Sequence, residues 1–403
     1  MKVVVLGAGV VGTAAAWYLR AAGHEVRVLD RRSSAGMETS FANGGQISAS
    51  HALPWAAPGV PWKALKWMLR EDAPLLFRLR ADPAQWRWGL RFLRECTSER
   101  FRANAAQLVR LGRYSRDALH ELQGQTGIQY DQVRKGILVF FTEKPSKEIL
   151  TEHWRTADEC VSIEPALAAS RHRLSGGEYV ADDESGDAHK FTAELAKHCV
   201  QKGVKFDFEV VVEGFSSAGN SISEVKAKRQ GKPLDVRADA YVLALGSYSP
   251  LLARPLGIDL AIYPLKGYSV TMPVKDPARA WTTSLTDESH KLVYSRLGDR
   301  LRIAGTAELN GYNTEVNAVR CRAIVERVAE IFPGAGEASQ AQFWAGLRPA
   351  TPSNLPYIGK TRYRNLYLDT GHGTLGWTHA CGSGKALAEI VSGRRPELDF
   401  AFC

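Results

Sequence analysis

Two glycine-rich turns carry the first chemical signal. "VVVLGAGVVG" (3–12) spaces Gly7, Gly9 and Gly12 as GxGxxG, and "EVRVLD" (25–30) ends in Asp30. Gly7 permits a tight turn, Gly9 lets backbone approach a pyrophosphate, and Gly12 lets helix and strand pack closely. Asp30 stands where a carboxylate meets the ribose hydroxyls of a dinucleotide. Arg31 is counted with this site; it and Arg32 could meet a 2′-phosphate, which Asp30 disfavours. The second turn is "LYLDTGHGTLGWTHACGSG" (366–384), with Gly371, His372, Gly373, Thr374 and Gly376 as candidate contacts. Between them lies "GLRPATP" (346–352), where Gly and Pro fix the backbone around Arg348. A guanidinium matches a carboxylate with two parallel N–H···O bonds and stays charged at any relevant pH.

These residues need positioning elements. "KVVVL" (2–6) is β-branched and apolar, as in a strand buried on both faces. "TAAAWYLRAA" (13–22) reads as a helix capped near Gly23, followed by a second strand at 25–29. The helix N-terminus offers free N–H groups and partial positive charge to phosphates. Strand, turn, helix, strand and acid in this register predict dinucleotide binding, without separating FAD from NAD.

The rest of the chain favours FAD. "ETSFANGGQIS" (38–48) is too polar for a core strand and reads as a loop along an extended ligand, through Thr39, Ser40, Asn43, Gly44 and Gln46. "GVKFDFEVVVEGF" (203–215) gives two short strands, and Val211 there is counted with the cofactor site. "ADAYVLALGSYSP" (238–250) is a strand ending at Gly246, as in a sheet whose carboxyl ends line a cofactor cleft. The C-terminal turn opens a second helix (about 377–392), whose N-terminus suits the flavin carbonyl region that becomes anionic on reduction. One extended FAD would be held at both poles. In "YPLKGYSVT" (263–271), Lys266 and Tyr268 share one strand face and are candidate catalytic residues if that face is the cleft.

The bulk numbers fit an ordinary globular protein of two or three domains. The chain has 403 residues, 45% hydrophobic and 24% charged, with net charge +9. A basic balance suits an anionic ligand, membrane surface or nucleic acid. No nucleic-acid motif accompanies it, so no nucleic-acid partner is expected. Six scattered cysteines without CxxC argue against a zinc site or disulfide framework, and reduced thiols suit a cytoplasmic protein. No metal set is expected. The glycine-broken N-terminus is read as structure, not a signal peptide. No run of about 18 apolar residues is present to span a bilayer. "VPWKALKWMLR" (60–70) reads as a basic amphipathic helix, within a stretch holding Trp55, Trp62, Trp67, Trp86 and Trp88. It would either dock on the inner membrane as a peripheral contact or cover the active site with snorkelling side chains.

With these residues in hand, the chain resembles the D-amino-acid oxidase superfamily of flavoproteins, most of all the bacterial D-amino-acid dehydrogenases. The matching pieces span nearly the whole chain in order: "VVVLGAGVVG", "ETSFANGGQIS", "PWAAPGVPWKALKWML", "YSRDALHELQGQTGIQYD", "ADAYVLALGSYSP", "YPLKGYSVT", "FWAGLRPATPSNLPYIG" and the C-terminal turn. The resemblance implies an α/β fold: a discontinuous Rossmann-like FAD-binding domain (1–88, 151–258 and 340–403) and an antiparallel-sheet substrate domain (89–150 and 259–339). It implies oxidative deamination of a D-amino acid by hydride transfer from Cα to flavin N5, with electrons passed to a quinone or another carrier. Arg348 would bind the α-carboxylate. Glycine, sarcosine or a hydroxyproline isomer would use the same arginine, and remain alternative substrates. Two departures stand out. Residues 140–167 look shorter than the family's usual segment. Ser353-Asn354 replaces the common Asp-Gly, altering a turn close to the flavin.

Overall fold

The computed structural model describes residues 1–50, 52–62, 75–143 and 153–403. Most of the expected basic helix (60–70), with Trp67, lies outside the described residues, as does 144–152 within the shortened segment.

The elements that position the site run as follows. First come β1 (Lys2–Leu6), α1 (Val10–Ala21) and β2 (Glu25–Leu29). Next are α2 (Pro83–Glu95), α3 (Ser98–Thr126), β3 (Ile137–Phe141) and β4 (Gly176–Val180). Then α4 (Ala188–Gln201) precedes β5 (Lys205–Asp207), β6 (Val210–Ala218), β7 (Ser221–Arg229), β8 (Lys232–Val236) and β9 (Ala240–Leu243). The second half brings β10 (Tyr263–Pro273), β11 (Ser284–Asp287), β12 (Leu292–Leu297), β13 (Arg300–Leu309) and α5 (Ala318–Ile331). It closes with β14 (Gln342–Ala350), β15 (Tyr357–Lys360), β16 (Leu366–Thr370) and α6 (Gly376–Val391).

A six-stranded sheet has the order β15-β16-β9-β1-β2-β5, parallel except for the edge strand β15. Alternation in β1 divides its side chains between two cores. Val3 and Val5 join α1, α4 and α6 on one face, while Val4 and Leu6 meet the small sheet β6-β7-β8 on the other. Both faces are covered, so the strand is apolar from Val3 to Leu6, as buried parallel strands require. Gly12 lets α1 lie close to β1: a Cβ there would run into the Gly7 carbonyl oxygen.

The second sheet has the order β14-β10-β13-β12-β11-β3-β4, followed by the two-residue strand Trp154–Arg155, with Leu75–Phe77 also pairing with β13. It is mainly antiparallel, and α5 closes one face over a core containing Trp281, Tyr294 and Phe332. The other face looks toward the nucleotide-side sheet.

Three pieces sit across the expected domain boundaries. β14, and β4 with Trp154–Arg155, pair into the antiparallel sheet although 340–403 and 151–258 were assigned to the cofactor side. Conversely, Leu111, Ala118, Leu119 and Leu122 of α3 enter the core around α1 and α6. Amphipathic spacing identifies a helix but not the body on which it packs.

Candidate active site

One cleft of about 1840 Å³ runs between the two sheets, from the start of α1 to the start of α6. Most expected site residues line it: Gly7, Gly9, Asp30, Arg31, Thr39, Ser40, Asn43, Gly44, Gln46, Val211, Gly246, Tyr268, Arg348, His372, Gly373, Thr374 and Gly376. Gly12, Lys266 and Gly371 do not. Gly12 serves the α1–β1 contact, and Gly371, at φ 83°, would bring a Cβ to 2.9 Å from Thr351.

At the α1 end, the chain's own contacts explain some glycines and leave one unexplained. Gly7 has φ 109°, and a Cβ on it would sit 2.5 Å from the Ala244 carbonyl oxygen. Gly9 has ordinary φ −69°, and a Cβ there would meet only the Ser40 hydroxyl at 3.6 Å. Nothing among the described residues requires glycine at position 9, so the open space fits close approach of a pyrophosphate. Asp30 is buried, and desolvation raises its pKa against two backbone donors, Ala8 N at 2.7 Å and Arg32 N at 2.8 Å. Arg31 stacks 3.9 Å over Tyr248, a residue the sequence reading did not single out. Burial pulls the Arg31 pKa down, but Tyr248 and Glu38 outweigh it and raise it.

The polar loop organises the cleft as well as lining it. Ser40 Oγ accepts from Val10 N at 3.0 Å, which fixes the first turn of α1. Thr39 donates to the Leu347 carbonyl at 2.7 Å, next to Arg348. Gln46 donates to Ser284, Leu285 and Thr286 at 3.1 Å each, so its amide nitrogen is held by β11. At the other pole, His372 bridges to Ala350, tying the end of β14 to the C-terminal glycine turn. The departure at Ser353-Asn354 keeps the turn: Asn354 has φ 64°, a conformation asparagine tolerates better than most residues. Its Oδ1 accepts from Trp55 N at 2.9 Å.

Arg348 faces the cleft from β14. Its Nη1 donates to the Thr306 carbonyl at 3.0 Å, and among the described residues no carboxylate pairs with it. Burial pushes its pKa down to about 10, so the guanidinium remains charged near neutrality. The side chain crosses β10 at Gly267, where a Cβ would collide with the guanidinium. Thr306 has φ 52°, costly for a β-branched residue by about 1–3 kcal/mol. The register shift between Lys266 and Tyr268 lies opposite this residue. Sequence alone gave no sign of Thr306.

Lys266 is corrected by the structure. It is buried away from the cleft, donating to Asn313 Oδ1 at 2.9 Å and the Glu315 carbonyl at 3.2 Å, with Glu308 at 3.4 Å. Tyr268 donates to the same Glu308 and is 1% exposed. Burial raises its pKa well above the usual phenol range, and the Glu308 bond adds to the rise. The two residues do share a face, but the acid they meet lies behind the cleft.

The fold is that of a known group. The model of the FAD dependent oxidoreductase family, DAO, matches residues 2–390. The chain belongs to the DAO family of FAD-dependent oxidoreductases. It is 55% identical to a D-amino acid dehydrogenase of Dechloromonas aromatica, over all of this chain and 99% of that protein. It is 54% identical to a D-amino acid dehydrogenase of Paramagnetospirillum magneticum, over 98% and 96% of the two chains. Glycine oxidase from Geobacillus kaustophilus superposes with TM-score 0.75 at 21% identity, over 99% of this chain and 97% of that one. L-proline dehydrogenase from P. horikoshii also gives 0.75, at 18% identity over 99% and 95%. The flavoenzyme's cleft thus runs between two helix starts: Gly9, just before α1, lies at one pole, and Gly376, the first residue of α6, at the other.

Beneath the second pole lies a buried group the sequence reading missed. His379 is fully buried, and desolvation, helped by the neighbouring His372, lowers its pKa to about 3. Asp369 is also buried, and desolvation raises its pKa. For His379 the folded value lies below the unfolded one of about 6.5. The unfolded chain therefore binds an extra proton as pH falls from about 6.5 toward about 3, and stability drops by up to about 1.4 kcal/mol per pH unit. Asp369 acts with the opposite sign, so the variant comparison isolates His379. His379→Leu should show a smaller fall in Tm than the unaltered protein between pH 6.5 and 4. Parallel Tm profiles would refute this.

Proposed function

We propose that the protein oxidises D-amino acids to 2-oxo acids and ammonia, with Arg348 pairing with the substrate α-carboxylate. The observation that carries this reading is a half-buried, charged guanidinium on the cleft wall with no acidic partner among the described residues. Thr306 holds one edge of Arg348, which leaves its remaining N–H groups for a carboxylate. The names of the curated relatives support the D-amino acid as substrate. When bound, FAD supplies the two-electron acceptor for the hydride leaving Cα. The chain's own part is positioning: Arg348 anchors one end of the substrate, and the β14–His372 bridge holds that anchor against the flavin pole. Mixing the holoenzyme anaerobically with D- and L-alanine tests the reading. D-alanine should bleach the flavin absorbance; failure of every D-amino acid tried, or equal bleaching by L-isomers, would overturn it. Under the same reading electrons pass on to a quinone or another carrier, so a dye should reoxidise the enzyme faster than dioxygen.

The membrane contact proposed here rests on α2. Trp86, Leu90 and Leu93 lie at helical spacing and are 50%, 60% and 51% exposed, beside Arg87 and Arg94. The inner face is anchored by Trp88, which donates to the Ala350 carbonyl at 2.8 Å and stacks on Phe92. An apolar stripe flanked by arginines suits the surface of an anionic bilayer. No helix among the described residues is long and apolar enough to cross one. The protein should co-sediment with phosphatidylglycerol vesicles, and Leu90→Glu with Leu93→Glu should release it. Equal sedimentation of the double variant would exclude this face.

A further inference from the structure

The carboxylate anchor leaves one chemical demand unmet. An amino acid reaches the cleft mostly as an ammonium ion, whose nitrogen has no lone pair to assist loss of hydride from Cα. One proton must leave before the C–H bond breaks.

The turn between β11 and β12 supplies a group able to take it. His290 lines the same cleft as Arg348, and its side chain is 47% exposed. Its Nδ1 lies 3.3 Å from Asp287 Oδ2, and its backbone N–H donates to Asp287 Oδ1 at 3.1 Å. Asp287 is fully buried and fixed in turn by Arg327 Nε at 2.7 Å. Burial alone would raise the Asp287 pKa, but His290 and Arg327 lower it. A base held by a carboxylate, itself held by an arginine, is the orienting arrangement general-base catalysis uses. With Nδ1 turned to Asp287, Nε2 is the nitrogen left for a second partner.

The topology puts this turn beside the anchor. Leu292, which leaves the turn, pairs with Gly305, the neighbour of Thr306. A Cβ on Gly305 would meet the Lys291 carbonyl oxygen at 2.5 Å. The turn is therefore one strand away from the carbonyl that holds Arg348. Other charged groups stand on the elements around the imidazole. Glu288 and Lys291 pair with each other on the same turn, Glu143 lines the cleft beyond β3, and Glu330 of α5 binds Arg327 at 2.8 Å. None of these has the carboxylate-oriented geometry of His290.

We propose that His290, oriented by Asp287, accepts the proton that the substrate ammonium loses, directly or through one water. The substrate N–H bond breaks, its electron pair stays on nitrogen, and the proton forms an N–H bond at His290 Nε2. The half-exposed ring then returns that proton to solvent. FAD, when bound, would supply the acceptor for the hydride from Cα. Substrate carboxylate at Arg348 and ammonium toward His290 are then read by opposite groups across one strand spacing.

This rests on the D-amino acid reading, and the two can fail separately. His290→Gln keeps a polar side chain on an exposed turn and is compared with the unaltered holoenzyme by anaerobic stopped-flow bleaching with D-alanine from pH 6 to 10. At pH 7 the variant should bleach about 100-fold more slowly, within the usual range for a general base. The gap should close toward pH 10, where the substrate is already a free amine, and added imidazole should restore part of the rate at pH 7. Tm and FAD content should match the unaltered protein. If the variant proves unstable, His290→Asn takes its place in the same profile. A rate unchanged at pH 7, or lowered by one constant factor at every pH, would overturn the role of His290. Absence of bleaching in the unaltered enzyme would instead defeat the D-amino acid reading.

Discussion

Gly9→Ala should give a folded protein that has lost its colour. Among the described residues a Cβ at position 9 meets only the Ser40 hydroxyl, at 3.6 Å, and the backbone there has an ordinary φ. The apo-protein should keep its Tm, within the range of a neutral substitution. FAD binding should nevertheless fall by about 10- to 100-fold, because an extra methyl in a tight site costs about 1–3 kcal/mol. Gly12→Ala should behave differently. Its Cβ is opposed by the Gly7 carbonyl, a backbone atom that cannot swing aside. That variant should lose stability before FAD is added, since α1 must separate from β1. Equilibrium dialysis of FAD, with Tm measured on the apo-proteins, separates the two. If Gly9→Ala binds FAD as tightly as the unaltered chain, the pyrophosphate is not held at this turn.

That contrast shows what could be read from residues alone. Both glycine turns were legible because each is local: strand, turn and helix are contiguous, and their composition announces them. Gly7 and Gly9 of the first turn and His372, Gly373, Thr374 and Gly376 of the second line one cleft, whereas Gly12 and Gly371 do not, although about 360 residues separate the two ends. Arg348 was legible for a similar reason, since glycine and proline bracket it. What holds Arg348 was not. Its partner Thr306 and its clearance at Gly267 come from strands β13 and β10, and only their pairing creates the contact. Lys266 failed through the same long-range effect. Period-two alternation placed it correctly beside Tyr268, but could not say that Glu308 and Asn313 would draw its ammonium away from the cleft. Strand partners, not composition, decide which sheet Trp154–Arg155, Gly176–Val180 and Gln342–Ala350 join. Trp88 and Trp86 in α2 illustrate the remaining ambiguity. One tryptophan anchors the helix and the other faces outward, and helical spacing alone does not say which.

Arg348→Met should keep the fold and lose the substrate. Methionine retains much of the side-chain length across Gly267 but offers no donor to a carboxylate. Removing one member of a desolvated charge pair costs about 2–5 kcal/mol, so kcat/KM for D-alanine should fall by roughly 30- to 5000-fold. The loss should fall mainly on KM if the pair forms equally in the bound substrate and at the transition state. Arg348→Lys should lie between, because an ammonium keeps the charge but not the two-pronged geometry. A second variant reaches the same anchor without deleting it. In Gly267→Ala the new methyl occupies the space of the guanidinium, so Arg348 must lift off the strand and its bond to Thr306 should weaken. Both variants should also weaken binding of an unreactive carboxylate such as benzoate, measured through the flavin spectrum. A structural role for Arg348 predicts a lowered Tm with carboxylate affinity intact. The anchoring role predicts the reverse, and an Arg348→Met enzyme that still binds benzoate and D-alanine normally would remove this residue from the site.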